Sequence, residues 1–294
     1  MAALRLGTRR SALARAQAER VAEALGDDAE VVEVATADGE PGDKSRFVKG
    51  VERALVAGDV DLGVHSAKDL PSDVPEELRI VGVPEREEAA DAFVGEAGSL
   101  EEVAEGARIG TSSLRRRSQL LAVRPDIEVA EVRGNDDTRL GKLAGGELDG
   151  LVLAAAGLRR LGREAEISFL LTAEQMVPAP GQGALALEAR REDERAAAGA
   201  ATISDPVALT ELTAERSLVA ALDASCMTPL GVRAELDGEG LRATAFVGLP
   251  DGSEWVRDEV AGDPEEPTVL GALLAARLLA AGGGDILQRA KGES

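Results

Sequence analysis

The chain has 294 residues; 44% are hydrophobic, enough for sizeable cores, but only 2% are aromatic and none is Tyr, so the cores must be built from Ala, Val and Leu. A net charge of −21 and scarce rings leave neither the basic footprint nor the stacking platforms that nucleic-acid binding uses. One Cys and one His exclude an internal disulfide framework and argue against a Cys/His zinc site, so no metal is expected.

From the N-terminus, Met1-Ala2-Ala3-Leu4-Arg5 has no apolar core of signal-peptide length, and no apolar run nears the roughly 18 residues that span a membrane. A cytoplasmic protein with no membrane partner is expected. Leu4–Gly7 reads as a strand, and Ser11 can cap a helix reaching Leu25. Val31–Val34 is a second strand. Phe47–Ala57 is helical and stops at Gly58, and Asp61–Val64 and Ile80–Val83 are further strands. This βαβ series predicts a mainly parallel sheet.

A second series begins at Ala92–Val94. Ser99-Leu100-Glu101-Glu102 matches a capping box and predicts a helix. Arg108–Gly110 is a strand leading through Thr111-Ser112-Ser113 into a helix over Leu114–Val123. Ile127–Val132 and Leu151–Ala154 are strand-like, with Thr138–Leu143 helical between them, and Ala184–Leu187 is a return strand. Arg195–Ala201 is a helix or a linker. Beyond Asp205 the texture changes: a helix over Val207–Ala221, strands Val232–Leu236, Leu241–Val247 and Glu254–Val260 with hairpin turns between them, and a helix over Thr268–Ala281. The expected fold is α/β: two lobes with mixed, mainly parallel sheets and a C-terminal α+β domain with an antiparallel sheet.

The basic residues are 28 Arg and only five Lys. This balance reads as adaptation to a salty cytoplasm, where a Debye length of a few Å screens self-repulsion, or as the acidic product of an Arg-favouring genome.

The only His stands in His65-Ser66-Ala67-Lys68-Asp69, just past a strand. The carboxyl ends of strands in open α/β sheets are where ligands bind, so a proton donor, a cation and a carboxylate there can do chemistry; a polar strand exit is the plain alternative. Thr111-Ser112-Ser113-Leu114-Arg115-Arg116-Arg117 puts hydroxyls and unpaired N–H groups at a helix start, a geometry that suits anions, although three successive Arg cannot all face one ligand. Glu131-Val132-Arg133-Gly134 to Arg139 repeats the pattern. Arg9 follows the first strand, and Arg159 and Arg160 follow another strand-like run. Arginines at several strand ends of an acidic protein point to a ligand with several carboxylates or phosphates. Gln182, in Gly181-Gln182-Gly183, is in a breaker-rich crossing segment, a hinge or an ordinary turn. The lone Cys226 sits in a loop before the third domain's sheet, a small buried hydrophobe or a reactive thiol.

Taken in order, GTRRSALARAQ, FVKGVERAL, VHSAKDLP, GTSSLRRRSQL, VRGNDDTRLGKL, LAAAGLRRLG, PAPGQGALALE and ASCMTPLG resemble the porphobilinogen deaminase (hydroxymethylbilane synthase) family over nearly the whole chain. The resemblance implies two lobes like those of periplasmic binding proteins: residues 1–86 with 183–201, residues 87–182, and a third domain over 202–294. It implies a transferase that joins four porphobilinogen units head-to-tail into linear hydroxymethylbilane with loss of ammonia. The chain would be primed by a dipyrromethane cofactor held through a Cys226 thioether. Asp69 would be the catalytic carboxylate, stabilising the cation left when ammonia departs. Ser66, Lys68, Asp69, Thr111, Ser113, Arg115, Arg116, Arg133 and Gly134 would bind cofactor. Arg9, Ser11, Arg133, Arg139, Arg160 and Gln182 would bind the acetate and propionate groups of substrate or growing chain. His65 would hydrogen-bond near the site. A monomer is expected. Two departures stand out: Ala12 where the family has Pro, and an acidic Glu40–Phe47 loop retaining Lys44. The competing reading is a non-catalytic two-lobed binding protein for a small polycarboxylate.

Overall fold

The computed structural model describes residues 3–26, 29–35, 45–225 and 227–292. The chain begins with β1 (Leu4–Thr8), α1 (Ala12–Leu25), β2 (Ala29–Glu33), α2 (Ser45–Ala57), β3 (Leu62–Ser66) and β4 (Leu78–Gly82). It then crosses to a second lobe: β5 (Asp91–Gly95), β6 (Arg108–Gly110), α3 (Leu114–Val123), β7 (Glu128–Ala130), α4 (Asp136–Ala144), β8 (Gly150–Ala154), α5 (Ala155–Arg160) and β9 (Phe169–Leu170). It returns as β10 (Leu185–Arg190) and α6 (Glu194–Ala201). The third domain holds α7 (Pro206–Ala221), the hairpin-linked β11 (Leu230–Asp237), β12 (Gly240–Gly248) and β13 (Trp255–Gly262), then α8 (Pro267–Ala280) and α9 (Gly283–Gly292).

The two lobes share one plan, with strand orders β2-β1-β3-β10-β4 and β7-β6-β8-β5-β9. In each sheet four strands point one way and one runs against them: β10 pairs antiparallel with β3 and β4, and β5 with β8 and β9. Each crossing of the chain therefore delivers the lone reversed strand of the lobe it enters. The expected mixed, mainly parallel sheets are present, and the third domain's sheet is antiparallel throughout.

The cores are mainly aliphatic, as the composition requires. Leu6, Val21, Leu62 and Leu187 pack the first lobe, Phe93, Ile109, Leu120 and Val152 the second, and Leu218, Val232, Leu274 and Leu278 the third domain. Each such side chain contributes on the order of 2 kcal/mol through burial.

Two expectations need correction, and one helix lies beyond them. Half of the capping box forms: Ser99 Oγ accepts from Glu102 N at 3.3 Å, while Glu102 Oε2 accepts from Gly98 N at 2.9 Å, one residue ahead of the cap. No helix follows it: Gly106, at φ +74°, turns the chain back to bond Asp126, and Leu100 and Val103 are buried beside Ile109 instead. One capped turn is too short to repay helix nucleation. Arg159 and Arg160 sit on α5, which begins directly after β8. Beyond the helix that the sequence ends at Ala281, the structure adds α9 after Gly282.

Candidate active-site cleft

A cleft of about 450 Å³ opens where the two lobes and the third domain meet. Its floor is the single 3-10 turn Ala67–Asp69 that ends β3. Pro71 explains where that turn stops: the residue before a proline is pushed to extended backbone, and Leu70 takes φ −73°, ψ 132°. Lys68 and Asp69 line the cleft, and Arg9 Nη2 lies 3.7 Å from Asp69 Oδ2. The crossing segment packs on the same turn. Gly181 has φ +70°, and a Cβ there would lie 2.9 Å from the Ala67 carbonyl carbon, so both its torsion and its contact require glycine.

The facing wall is the start of α3. Ser113 caps it, its side chain accepting from Arg116 N. Arg115 and Arg116 are not solvated charges but buried, and both converge on Asp91. Arg115 Nη1 and Nη2 reach its two oxygens at 2.7 and 3.0 Å, and Arg116 Nε reaches Oδ1 at 2.8 Å. Burial works against the Asp91 charge, but the two guanidiniums outweigh it and hold the carboxyl well below the usual carboxylate range. Burial also lowers Arg115, opposed by Asp91. Gln182, wholly buried, donates to Asp91 Oδ1 at 3.1 Å and to Ala89 O at 2.7 Å. Arg117 turns away to the Val129 carbonyl, as three successive positions on a helix require.

The third domain supplies the remaining wall. Ala224, Ser225, Met227 and Thr228 line the cleft; Cys226, between them, lies outside the described residues. Arg216 of α7 also lines it. Burial pushes this guanidinium below its ordinary value, and Glu188 and Asp73 oppose that. Behind the crossing, wholly buried Glu215 accepts from Arg86 at 2.8 and 3.1 Å, from Gly181 N at 2.6 Å and from Ala234 N at 3.0 Å.

The structure thus gathers Lys68, Asp69, Ser113, Arg115, Arg116 and Gln182 on one cleft, with Arg9 against Asp69. The other expected residues stand off its lining. Ser66 is in the β3–β10 ladder, Ser11 caps α1, and Thr111 is buried, accepting from Ser113 N. Arg133 is exposed and paired with Glu131, beside exposed Gly134. Arg139 donates to Ser112 Oγ at 3.3 Å, and burial lowers its pKa, with the Arg116 charge adding to that. Arg160 donates to the Gly183 carbonyl, and burial brings its pKa to about 10. His65 points into the first lobe, 3.1 Å from buried Glu188 on β10. Glu40–Lys44 lie outside the described residues.

Asp91 and Arg216 escaped the sequence reading. For Asp91 the signal was an acidic residue heading the apolar strand Ala92-Phe93-Val94, a charge at the mouth of a buried ladder. Because β5 runs antiparallel, its first residue pairs with Ala154 at the end of β8, which brings Asp91 to the ligand-binding edge.

Comparison with known proteins agrees with this architecture. Residues 4–198 match the family model "Porphobilinogen deaminase, dipyromethane cofactor binding domain", and residues 209–280 match "Porphobilinogen deaminase, C-terminal domain". The porphobilinogen deaminase of Thermus thermophilus is 41% identical over 292 residues, covering 96% of this chain and 97% of its own. That of Rubrobacter xylanophilus is 43% identical over 299 residues, covering 98% and 97%. Among solved structures, a TRAP periplasmic solute binding protein from Desulfovibrio salexigens superposes with a TM-score of 0.42 at 12% identity, covering 69% of this chain and 72% of its own, too loosely to carry an argument. The chain belongs to the porphobilinogen deaminase family.

Proposed function

We propose that Asp69 is the catalytic carboxylate, and Cys226 the covalent anchor, of a cleft that builds a linear tetrapyrrole. Family membership makes the protein a transferase that polymerises four porphobilinogen units head-to-tail into hydroxymethylbilane with release of ammonia. One observation carries the residue assignment: Asp69, Lys68, the Ser113–Arg116 corner and the residues flanking Cys226 line a single cleft.

The donor set fits a dipyrromethane. Its carboxylate side chains need hydroxyl and guanidinium partners, which Ser113 and Arg116 offer; its pyrrole N–H groups need an acceptor, which Asp69 offers. Gln182 Oε1, buried on this cleft without a hydrogen-bond partner among the described residues, is a second acceptor. Bound through a Cys226 thioether, the group supplies the free pyrrole α-carbon to which the first unit is joined. Asp69 accepts a hydrogen bond from the reacting pyrrole N–H and stabilises the positive charge that develops as ammonia leaves. Arg9, against Asp69, binds a substrate carboxylate. Arg133, Arg139 and Arg160 take carboxylates of cofactor and growing chain further along, with Gly134 beside Arg133.

In this reading residues 1–86 with 183–201 form the catalytic lobe, 87–182 the anion-binding lobe, and 202–294 the domain that carries the anchor. The protein works as a cytoplasmic monomer. No single helix among the described residues is long and apolar enough to cross a membrane.

Incubation with porphobilinogen should release ammonia and a product that closes and oxidises to fluorescent uroporphyrin. No porphobilinogen consumption at any salt concentration would overturn the activity, and an intact mass equal to that of the bare chain after active turnover would remove the anchor.

A further inference from the structure

Arg115 and Arg116 cannot aim themselves. They are adjacent on α3, both buried, and two guanidinium charges confined side by side repel and are costly to desolvate. Asp91 resolves this. Its two oxygens take Arg115 Nη1 and Nη2 and Arg116 Nε, and the Val177 and Val152 carbonyls take a further N–H from each head, at 2.8 and 3.0 Å. Three of the five N–H groups of Arg115 are thereby held on protein oxygens, and its Nε is buried with no partner among the described residues. Arg116 keeps Nη2, and the Ser113 hydroxyl, which accepts from Arg116 N, keeps its hydrogen to donate.

We propose that Asp91 is a positioning residue for the cofactor's carboxylates: it locks both arginine heads so that Arg116 Nη2 and the Ser113 hydroxyl, backed by one net positive charge, form the subsite for a single carboxylate. Arg115 is held by the same carboxylate, shares its Oδ1 with Arg116, and adds its charge to the subsite. Gln182 completes the arrangement. Its Nε2 bridges Asp91 Oδ1 and Ala89 O, so the crossing segment that seats Gly181 on the catalytic turn also bears on the carboxylate that aims the arginines. This inference rests on the assignment of Ser113, Arg115 and Arg116 to the cofactor.

The test compares wild type with Asp91→Asn, Asp91→Glu and, as a control for loss of a buried, arginine-paired carboxylate away from the cleft, Asp61→Asn. Each apo protein is incubated with porphobilinogen, and intact mass gives the loaded fraction; melting temperature, KM and kcat are measured on the same samples. Asp91→Asn should cut loading, or raise KM, by about tenfold or more, the factor carried by one displaced charge-assisted hydrogen bond. Asp91→Glu restores the charge one methylene out of place and should fall between. Asp61→Asn should melt lower yet load like wild type. If Asp91→Asn does not fold, Asp91→Glu decides. Wild-type loading and KM in the folded Asp91 variant would overturn the inference alone, whereas a wild-type protein that neither loads nor consumes porphobilinogen would overturn the functional assignment with it.

Discussion

Arg216 holds Pro71 from across a domain boundary: its Nη2 donates to the Pro71 carbonyl at 3.0 Å, and to the Ser72 carbonyl at the same distance. The loop leaving Asp69 is therefore pinned by the third domain's helix, while Gly181 supports the turn that contains Asp69 from the crossing segment. Asp69 itself takes no part in either support.

For that reason Asp69→Asn should fold and keep its cofactor, since the loop's fixings are main-chain contacts that the substitution leaves alone. Turnover should fall by about 10²–10⁴-fold, the usual contribution of a group that manages protons and charge in the transition state. Porphobilinogen consumption by cofactor-loaded protein, verified by mass, measures this; a rate within a few-fold of wild type would take Asp69 out of the mechanism.

Cys226→Ala removes one sulfur from a loop whose neighbours bond one another, Ser225 N to Thr228 Oγ1 at 2.9 Å and Met227 N to Ser225 Oγ at 3.2 Å. The loop should persist, and circular dichroism should be native. Mass spectrometry should find only the bare chain, and turnover should vanish. Covalent loading of the variant would place the anchor elsewhere.

Acid should weaken the first lobe at an identifiable carboxylate. Asp61 is buried, and burial raises its pKa, but Arg5, hydrogen-bonded through backbone N at 2.9 Å and Nη2 at 2.8 Å, and the Arg195 charge hold it at about 2. A folded value below the ordinary 3.8 means that the unfolded chain takes up the proton first. The stabilisation is complete above about pH 4 and disappears as pH falls toward 2; with solvent screening it is on the order of 1 kcal/mol. Melting temperature followed from pH 5 to 2 should fall less steeply in Asp61→Asn than in wild type. Identical slopes would show that other carboxylates carry the acid transition.

Salt should stabilise the protein. At a net charge of −21 the folded chain repels itself, and raising ionic strength from about 0.1 to 1 M shortens the Debye length from about 10 to 3 Å. The melting temperature should rise by several degrees and activity should increase over this range. Equal stability and turnover at both concentrations would dismiss salt adaptation. Ion pairs such as Asp91 with Arg115 and Arg116 are wholly buried and are not expected to weaken.

Much of the fold was legible because its signals are local. Alternation of short apolar runs with capped helices placed most strands and helices; Ser11 caps as expected, and of Thr111-Ser112-Ser113 it is Ser113 that caps the next helix. The capping box at Ser99 misled because a cap satisfies donors without supplying the residues a helix needs to propagate. The site was legible where its residues follow strands directly, as Asp69 does. It was illegible where burial decides the role. Arg115, Arg133 and Arg160 look alike in sequence, yet the first is locked on a buried carboxylate, the second is solvated beside Glu131, and the third bonds the crossing segment. Asp91 and Arg216 act through residues 24 and 145 positions away, a separation that no window on the sequence reports.

The placement of β10 also governs how the molecule can be made. β10 lies between β3 and β4, so the first lobe's sheet has a gap at its fourth position until residues 185–190 have been synthesised. An emerging chain that stops short of Leu185 exposes two unpaired strand edges, the surfaces on which strands of neighbouring chains add. The second lobe contains all its own strands, β5 to β9, and can close first. Completion of the first lobe thus waits on the second, and the floor beneath Asp69 is among the last parts of the two-lobed body to set.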